Sequence, residues 1–249
     1  MIKKRIIPTL TYKDYGLVKS KLFNSYRMIG DPVQAVKVYN LRDVDELLFV
    51  DISEKINRPN ISLIKEILQH AYMPVTVGGG VNTLKNISDL LDAGADKVCL
   101  STKSFESYDF VEKAVHTFGA QAIVISVDYI INNNEYFLVF NPDYKLTKTD
   151  IFEYVLNLSS IGVSELILTS VERDGMMSGY DIEFIQKIEG LTSLGIITNG
   201  GAGTYQNMLE VFESTNAVGV AASSIFLFTE QTPKGASRYL KKHNINVRN

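Results

Sequence analysis

Two glycine clusters pose the first chemical question. Gly78, Gly79 and Gly80 close the run VTVGGG (75–80), and Gly200 and Gly201 close GIITNGG (195–201). A hydroxyl follows each cluster at the end of another apolar run, Thr102 coming 22 residues after Gly80 and Ser223 22 residues after Gly201. Gly80 and Gly201 are 121 positions apart, as are Thr102 and Ser223. Glycine lets backbone N–H groups approach an anion closely, and a helix N-terminus behind them adds partial positive charge. One such cluster is explained equally well as a tight strand-to-helix turn. Two in equivalent positions, each with its hydroxyl, point to two anion sites and to a small ligand phosphorylated at both ends.

Four charged residues form a second set. Arg5 stands directly before IIP, Glu46 before LLFV, Lys97 before VCL and Glu165 before LIL. Singly, each reads as a solvated residue at the start of a strand. Turned inward together, they would make a ring of two positive and two negative charges, because buried charge has to be compensated.

The elements that must position these groups are eight short runs rich in β-branched residues. They are RIIPTL (5–10), LLFVDI (47–52), VTVGGG (75–80), KVCLST (97–102), AIVISVD (122–128), LILTS (166–170), GIITNGG (195–201) and AVGVAAS (217–223). Each is continuously apolar, as parallel strands buried on both faces are. Segments of helical period lie between them, among them ISLIKEILQH (61–70), TLKNISDLLDA (83–93) and DIFEYVLNLSSI (150–161). Eight alternations over 249 residues predict an α/β fold, a (β/α)8 TIM barrel of two similar half-barrels forming a single domain over 1–249. A doubly wound open sheet is the structural alternative. NNNEYFLVF (132–140) breaks the rhythm and predicts a hairpin over 129–141, inserted after the fifth strand. In such a barrel the working surface is at the C-terminal ends of the strands, where both glycine clusters fall. The charged set falls at the opposite end.

Composition excludes several classes. With 45% hydrophobic and 21% charged residues the chain suits an ordinary globular protein, and a net charge of −3 gives nucleic-acid binding no electrostatic support. No apolar stretch approaches the roughly 20 residues that cross a bilayer, and the apolar run of MIKKRIIPTL is broken too soon for a signal peptide. Cys99, the single cysteine, sits inside VCL as an expected core residue, so a cytoplasmic location is the natural expectation. His70, His116 and His243 lie in separate helical segments, and neither a metal nor a cofactor is expected.

RIIP, GDP (30–32), DELLFVDI (45–52), TVGGGV, GADKV (94–98), LTSVERDGMMSGYD (168–181), NGGAG and YLKKHNINVR (239–248) occur in that order. Together they resemble the cyclase subunit of imidazole glycerol phosphate synthase, the HisF family, over nearly the whole chain. The resemblance implies that a HisH-like glutaminase docks at the barrel floor, and that its ammonia crosses the barrel to a doubly phosphorylated ribonucleotide at the other mouth. It implies that Arg5, Glu46, Lys97 and Glu165 form the ammonia gate and that Asp96 lies at the glutaminase interface. It also implies that Lys19, Gly79, Gly80, Thr102, Gly175, Gly200, Gly201, Ala222 and Ser223 hold the phosphates, with Lys13, Asp14 and Lys19 on a loop that closes over one of them.

The family's chemistry uses two aspartates as general acid and base, at the ends of strands one and five. Asp128 matches the second position, but Thr11 occupies the first. A threonine hydroxyl donates and accepts hydrogen bonds yet cannot hold a proton reversibly near neutral pH. Asp14 is no ready substitute, because the family also has an acid there. Ser101, Glu172 and Asn199 depart from the family pattern in the same mouth, and none is at the gate.

TLTYKDYGLVK (9–19) resembles more closely a variant branch that occurs with surface-polysaccharide (lipopolysaccharide) gene clusters. Its members work with a glutaminase and a separate ATP-dependent amidotransferase that places an amidino group on a sugar, so the barrel would chiefly carry ammonia. The sequence favours that reading. The alternative is a cyclase of histidine biosynthesis, a lyase in which water, Asp14 or Thr11 stands in for the missing acid. Losing one member of an acid–base pair costs about 10²–10⁴-fold in rate. A barrel isomerase acting on the same bisphosphate would need two acids and no gate, and a regulatory barrel that only binds ligand and partner stays open.

Overall fold

The computed structural model of the protein describes residues 3–53, 59–140 and 145–248. The first half of the chain begins with β1 (Arg5–Lys13), which continues into an antiparallel ribbon with β2 (Gly16–Lys21) and β3 (Asn24–Gly30). Then come α1 (Pro32–Leu41), β4 (Leu47–Asp51), α2 (Ile61–Gln69), β5 (Val75–Gly78), α3 (Leu84–Asp92), β6 (Lys97–Leu100), α4 (Thr102–Glu106) and α5 (Tyr108–Phe118). The second half repeats the order. β7 (Ile123–Asn132) leads into a ribbon with β8 (Glu135–Phe140) and β9 (Lys145–Asp150). It is followed by α6 (Ile151–Ile161), β10 (Glu165–Ser170), α7 (Ile182–Glu189), β11 (Gly195–Asn199), α8 (Tyr205–Ser214), β12 (Gly219–Ala222), α9 (Ser224–Phe228) and α10 (Pro233–Lys242).

Eight of these strands, in the order β1-β4-β5-β6-β7-β10-β11-β12, pair in parallel, and β12 pairs back onto β1. The sheet is therefore a closed (β/α)8 barrel, and the open doubly wound alternative is excluded. All eight apolar runs of the sequence are its staves. Strand alternation sends one set of side chains outward under the helices, where Ile6, Leu10, Phe49, Ile125 and Leu166 join the large core. The other set meets inside the barrel, where Ile7, Leu48, Cys99, Val124, Ile167, Ile197 and Ala221 make a second, smaller apolar cluster. Cys99 is accordingly a core residue, in the inner wall.

The loop expected after strand one is instead the ribbon of β1, β2 and β3. TLTYK keeps the strand pattern going beyond the barrel rim, and Asp14, at φ 55, supplies the tight turn that lets Lys13 pair with Gly16. In the second ribbon Asn133 and Asn134, at φ 51 and 64, make the turn between β7 and β8. Asn141, the last residue of the expected hairpin, lies outside the described residues. β9 was not foreseen in the sequence, since KLTKTD carries no apolar run.

Helix starts repeat between the halves. Thr83 opens α3 and Thr204 opens α8 with the same reciprocal capping box, closed by Asn86 and Asn207, and the paired positions are again 121 apart. Asn60 caps α2 and Asp181 caps α7 at the same spacing. Caps at fixed offsets from the strand ends set where each helix leaves the rim, and so where the glycine turns before them point.

Candidate active site

In a closed ring of eight, β1 and β7 are opposite one another, and so are β5 and β11, a quarter-turn away. Thr11, Asp128 and both glycine clusters line one cavity of about 1060 Å³ at the C-terminal mouth. Gly79, Gly80 and Thr102 reach it from β5 and the start of α4, while Gly200, Gly201, Ala222 and Ser223 reach it from the opposite wall. Gly79 has φ +107, and a Cβ there would fall 1.9 Å from the Asp51 carbonyl oxygen. The turn therefore admits no side chain. Gly201 is as restricted, against the Gly179 carbonyl oxygen.

Lys19 and Gly175 line the same cavity and belong to one clasp. The Lys19 ammonium donates to Asp174 at 2.6 Å, and Ser20 Oγ donates to the other carboxylate oxygen at 2.8 Å. Leu22 N–H donates to the Asp174 carbonyl at 2.9 Å, which ties the ribbon to the loop after β10. Asp174 falls within VERDGMM, where its place in the sequence does not single it out. Lys19, buried across the mouth, needs a carboxylate partner, but its burial is not legible along the chain.

Asp128 accepts a hydrogen bond from Ser126 Oγ at 2.8 Å. Burial pushes its carboxyl up to about 6, against the pull of the Ser126 and Thr169 hydroxyls, with Asp174 adding a smaller upward push. A carboxyl of that kind exchanges protons near neutral pH, as a general acid or base must. Thr11 lines the cavity from the opposite strand. Of the other departures, Ser101 and Asn199 line the cavity, and Asn199 donates to Thr169 Oγ1 at 3.3 Å. Glu172 instead accepts from the Ile131 backbone at 3.1 Å and braces the second ribbon. Asp14 spends its backbone N–H on Ser53 Oγ at 2.8 Å, on the turn of the first ribbon. Cys99 also lines the cavity, but burial pushes its thiol up to about 12, so it is no nucleophile at neutral pH.

At the other end of the barrel the four charged residues meet. Arg5 donates to Glu46 at 2.7 Å and to Glu165 at 2.5 Å, and Lys97 donates to Glu165 at 2.6 Å and to Glu46 at 3.4 Å. Thr76 Oγ1 donates to Glu46 at 2.8 Å from the next strand. Burial alone would raise the Glu165 carboxyl, but the Arg5 and Lys97 charges outweigh it and hold it below its ordinary value. Asp96 is exposed beside this ring and accepts from the Val75 backbone at 2.8 Å. Between ring and cavity lies the inner apolar cluster, built from seven of the eight barrel strands. Among the described residues no group of histidine, cysteine or acid side chains is arranged to hold a metal ion, and no helix is long and apolar enough to cross a membrane.

Fold and site define a (β/α)8 barrel with a charged ring at one end and, at the other, a cavity flanked by paired glycine turns. The histidine biosynthesis protein family matches residues 5–232. The imidazole glycerol phosphate synthase subunit HisF of Hydrogenobaculum sp. (strain Y04AAS1) is 36% identical over 251 residues, covering 100% of both chains. That of Thermotoga sp. (strain RQ2) is 36% identical over 250 residues, covering 100% of this chain and 98% of its own. A candidate subunit of the same synthase, hisF2 of Vibrio vulnificus (strain YJ016), is 34% identical over 250 residues, covering 100% and 92%. The chain belongs to the HisF family.

Proposed function

We propose that the chain is the cyclase-type subunit of an imidazole glycerol phosphate synthase, a lyase-type partner in a glutamine amidotransferase complex. The observation that carries this reading is the mouth itself. Asp128, a carboxyl titrating near neutral pH, stands midway between two opposed glycine turns on a cavity large enough for a doubly phosphorylated ribonucleotide. The names of the full-length relatives point the same way, since each is called a subunit of that synthase.

In this reading Gly79, Gly80 and Thr102 hold one phosphate, and Gly200, Gly201, Ala222 and Ser223 hold the other, while Lys19 and Gly175 keep the ribbon closed over the ligand. Asp128 moves protons as ammonia adds to the substrate carbonyl and water leaves, a C–N bond breaks to release the remainder of the substrate, and the imidazole ring closes. The HisH-like glutaminase docks on the floor around Asp96, and the ring of Arg5, Glu46, Lys97 and Glu165 admits ammonia. Only the neutral molecule then crosses the apolar layer, because an unpaired charge there costs several kcal/mol.

A second reading, ammonia delivery to an ATP-dependent amidotransferase acting on a surface-polysaccharide sugar, is favoured by one observation, the hydroxyl of Thr11 where a second acid would complete the pair. The relatives lend it no support, and the balance moves from it to the cyclase.

One assay separates the two readings. The bisphosphate ribonucleotide is supplied with saturating ammonium salt and no partner protein, and imidazole product is measured. The wild type is expected to turn over, Asp128→Asn to lose about 10²–10⁴-fold, and Thr11→Asp to gain by restoring the pair. Product from Thr11→Asp alone would overturn the cyclase reading in favour of ammonia carriage.

A further inference from the structure

The inner face of β1 carries Arg5, Ile7, Thr9 and Thr11 at alternate positions, from floor to mouth. Arg5 belongs to the charged ring, Ile7 to the apolar layer and Thr11 to the mouth. Thr9, between the last two, is 7% exposed and lines the cavity. Its Oγ1 is fully buried and has no hydrogen-bond partner among the described residues.

Neighbouring inward groups are engaged. Ser126 donates to Asp128, and Thr169 accepts from Asn199. Thr9 thus carries an unpaired, buried hydroxyl at the cavity wall, just above the apolar cluster. Burying such a group unpaired costs about 1–3 kcal/mol, and valine would fill the same volume without that cost. A buried hydroxyl kept at a cavity wall is explained by a molecule that pairs with it.

Resting on the functional reading above, we propose that Thr9 is the binding point for ammonia on its way to the substrate. A molecule that has crossed the apolar layer is small and neutral, and the first polar side chain without a partner that it meets on β1 is this hydroxyl. Oγ1 accepts one N–H of ammonia, which leaves the nitrogen lone pair free to attack at the mouth. Thr9 is a positioning residue for the nucleophile and takes no part in proton transfer.

The test uses Thr9→Val, which removes the hydroxyl at constant shape, and Thr9→Ser, which keeps it. Ammonium-driven turnover is measured at fixed pH, with melting temperature as the check on folding. Thr9→Val is expected to raise KM for ammonium about fivefold, the worth of a net hydrogen bond near 1 kcal/mol, with KM for the ribonucleotide unmoved and Thr9→Ser close to wild type. A high-resolution crystal structure is expected to hold a single-atom peak within hydrogen-bond distance of Thr9 Oγ1, lost in Thr9→Val. An unchanged KM for ammonium in Thr9→Val, or no peak beside the wild-type hydroxyl, overturns the proposal while the cyclase reading stands. A wild type that makes no product from ammonium overturns the cyclase reading, and the ammonia assignment falls with it.

Discussion

In the proposed cyclase the chemistry of the mouth rests on one carboxyl held near neutrality, with one hydroxyl on the opposite strand. Because the folded chain binds a proton at Asp128 more readily than the unfolded chain does, this group adds stability that is full below about pH 4 and is lost as pH rises through about 6. Asp128→Asn removes the desolvated charge and is expected to stabilise the protein by about 1–2 kcal/mol at pH 7.5, a few degrees in Tm by calorimetry, while turnover falls. As a general base Asp128 must be ionised, so kcat/KM for the wild type is expected to fall on the acid side with a midpoint near pH 6. A pH profile flat from 5 to 8 would remove Asp128 from the proton-transfer role. At this scale the sequence was partly legible. Asp128 and Thr11 stood out by their place at strand ends. Asp174 and Thr9 did not, because what distinguishes them is a partner found or missing across the barrel, and spacing along the chain carries no trace of that.

Each strand-to-helix turn at the mouth has a backbone shape that the sequence records as glycine. At Gly79 a methyl group would meet the Asp51 carbonyl at 1.9 Å and would also have to occupy φ +107. Gly79→Ala is expected to lower Tm by at least 5 °C and to weaken binding of inorganic phosphate or of the ribonucleotide, measured by calorimetry. Gly190, at the end of α7 with φ −68, where an added Cβ would come no closer than 3.5 Å to any described atom, is the internal comparison, and Gly190→Ala is expected to leave Tm unchanged or slightly raised. Equal losses at both positions would mean that the Gly79 turn is not special. The eight staves were readable because buried parallel strands are continuously apolar. The ribbon strands were less so. β3 is largely exposed, and β9 is the polar stretch KLTKTD, so their pairing comes from backbone hydrogen bonds that composition does not reveal.

Taken whole, the described chain is one run of elements written twice: a strand drawn out into a ribbon, then helix, strand, helix, strand, helix, strand and two closing helices. The halves meet at two seams, β6 with β7 and β12 with β1. Gly119, at φ 88 between α5 and β7, is the natural place to divide them. Fragments 1–119 and 120–249, expressed apart and mixed, are expected to form a soluble 1:1 complex with the far-UV spectrum of the intact chain, whereas each alone aggregates through its two open strand edges. Fragments that stay apart on mixing would mean that the halves are alike in order only and do not complete one another.

The doubled order also bears on how an acid came to face a hydroxyl. The simplest ancestry for such a chain is a single half that paired with a second copy of itself. In that pair every rim position is present twice in identical form, so the ends of β1 and β7 could carry two carboxylates or two hydroxyls, but never one of each. Difference across the mouth became available only once the two copies were joined in one chain and could mutate independently. On that ancestry, Thr11 opposite Asp128 is a difference that only a joined chain could carry, in two halves that still share an architecture.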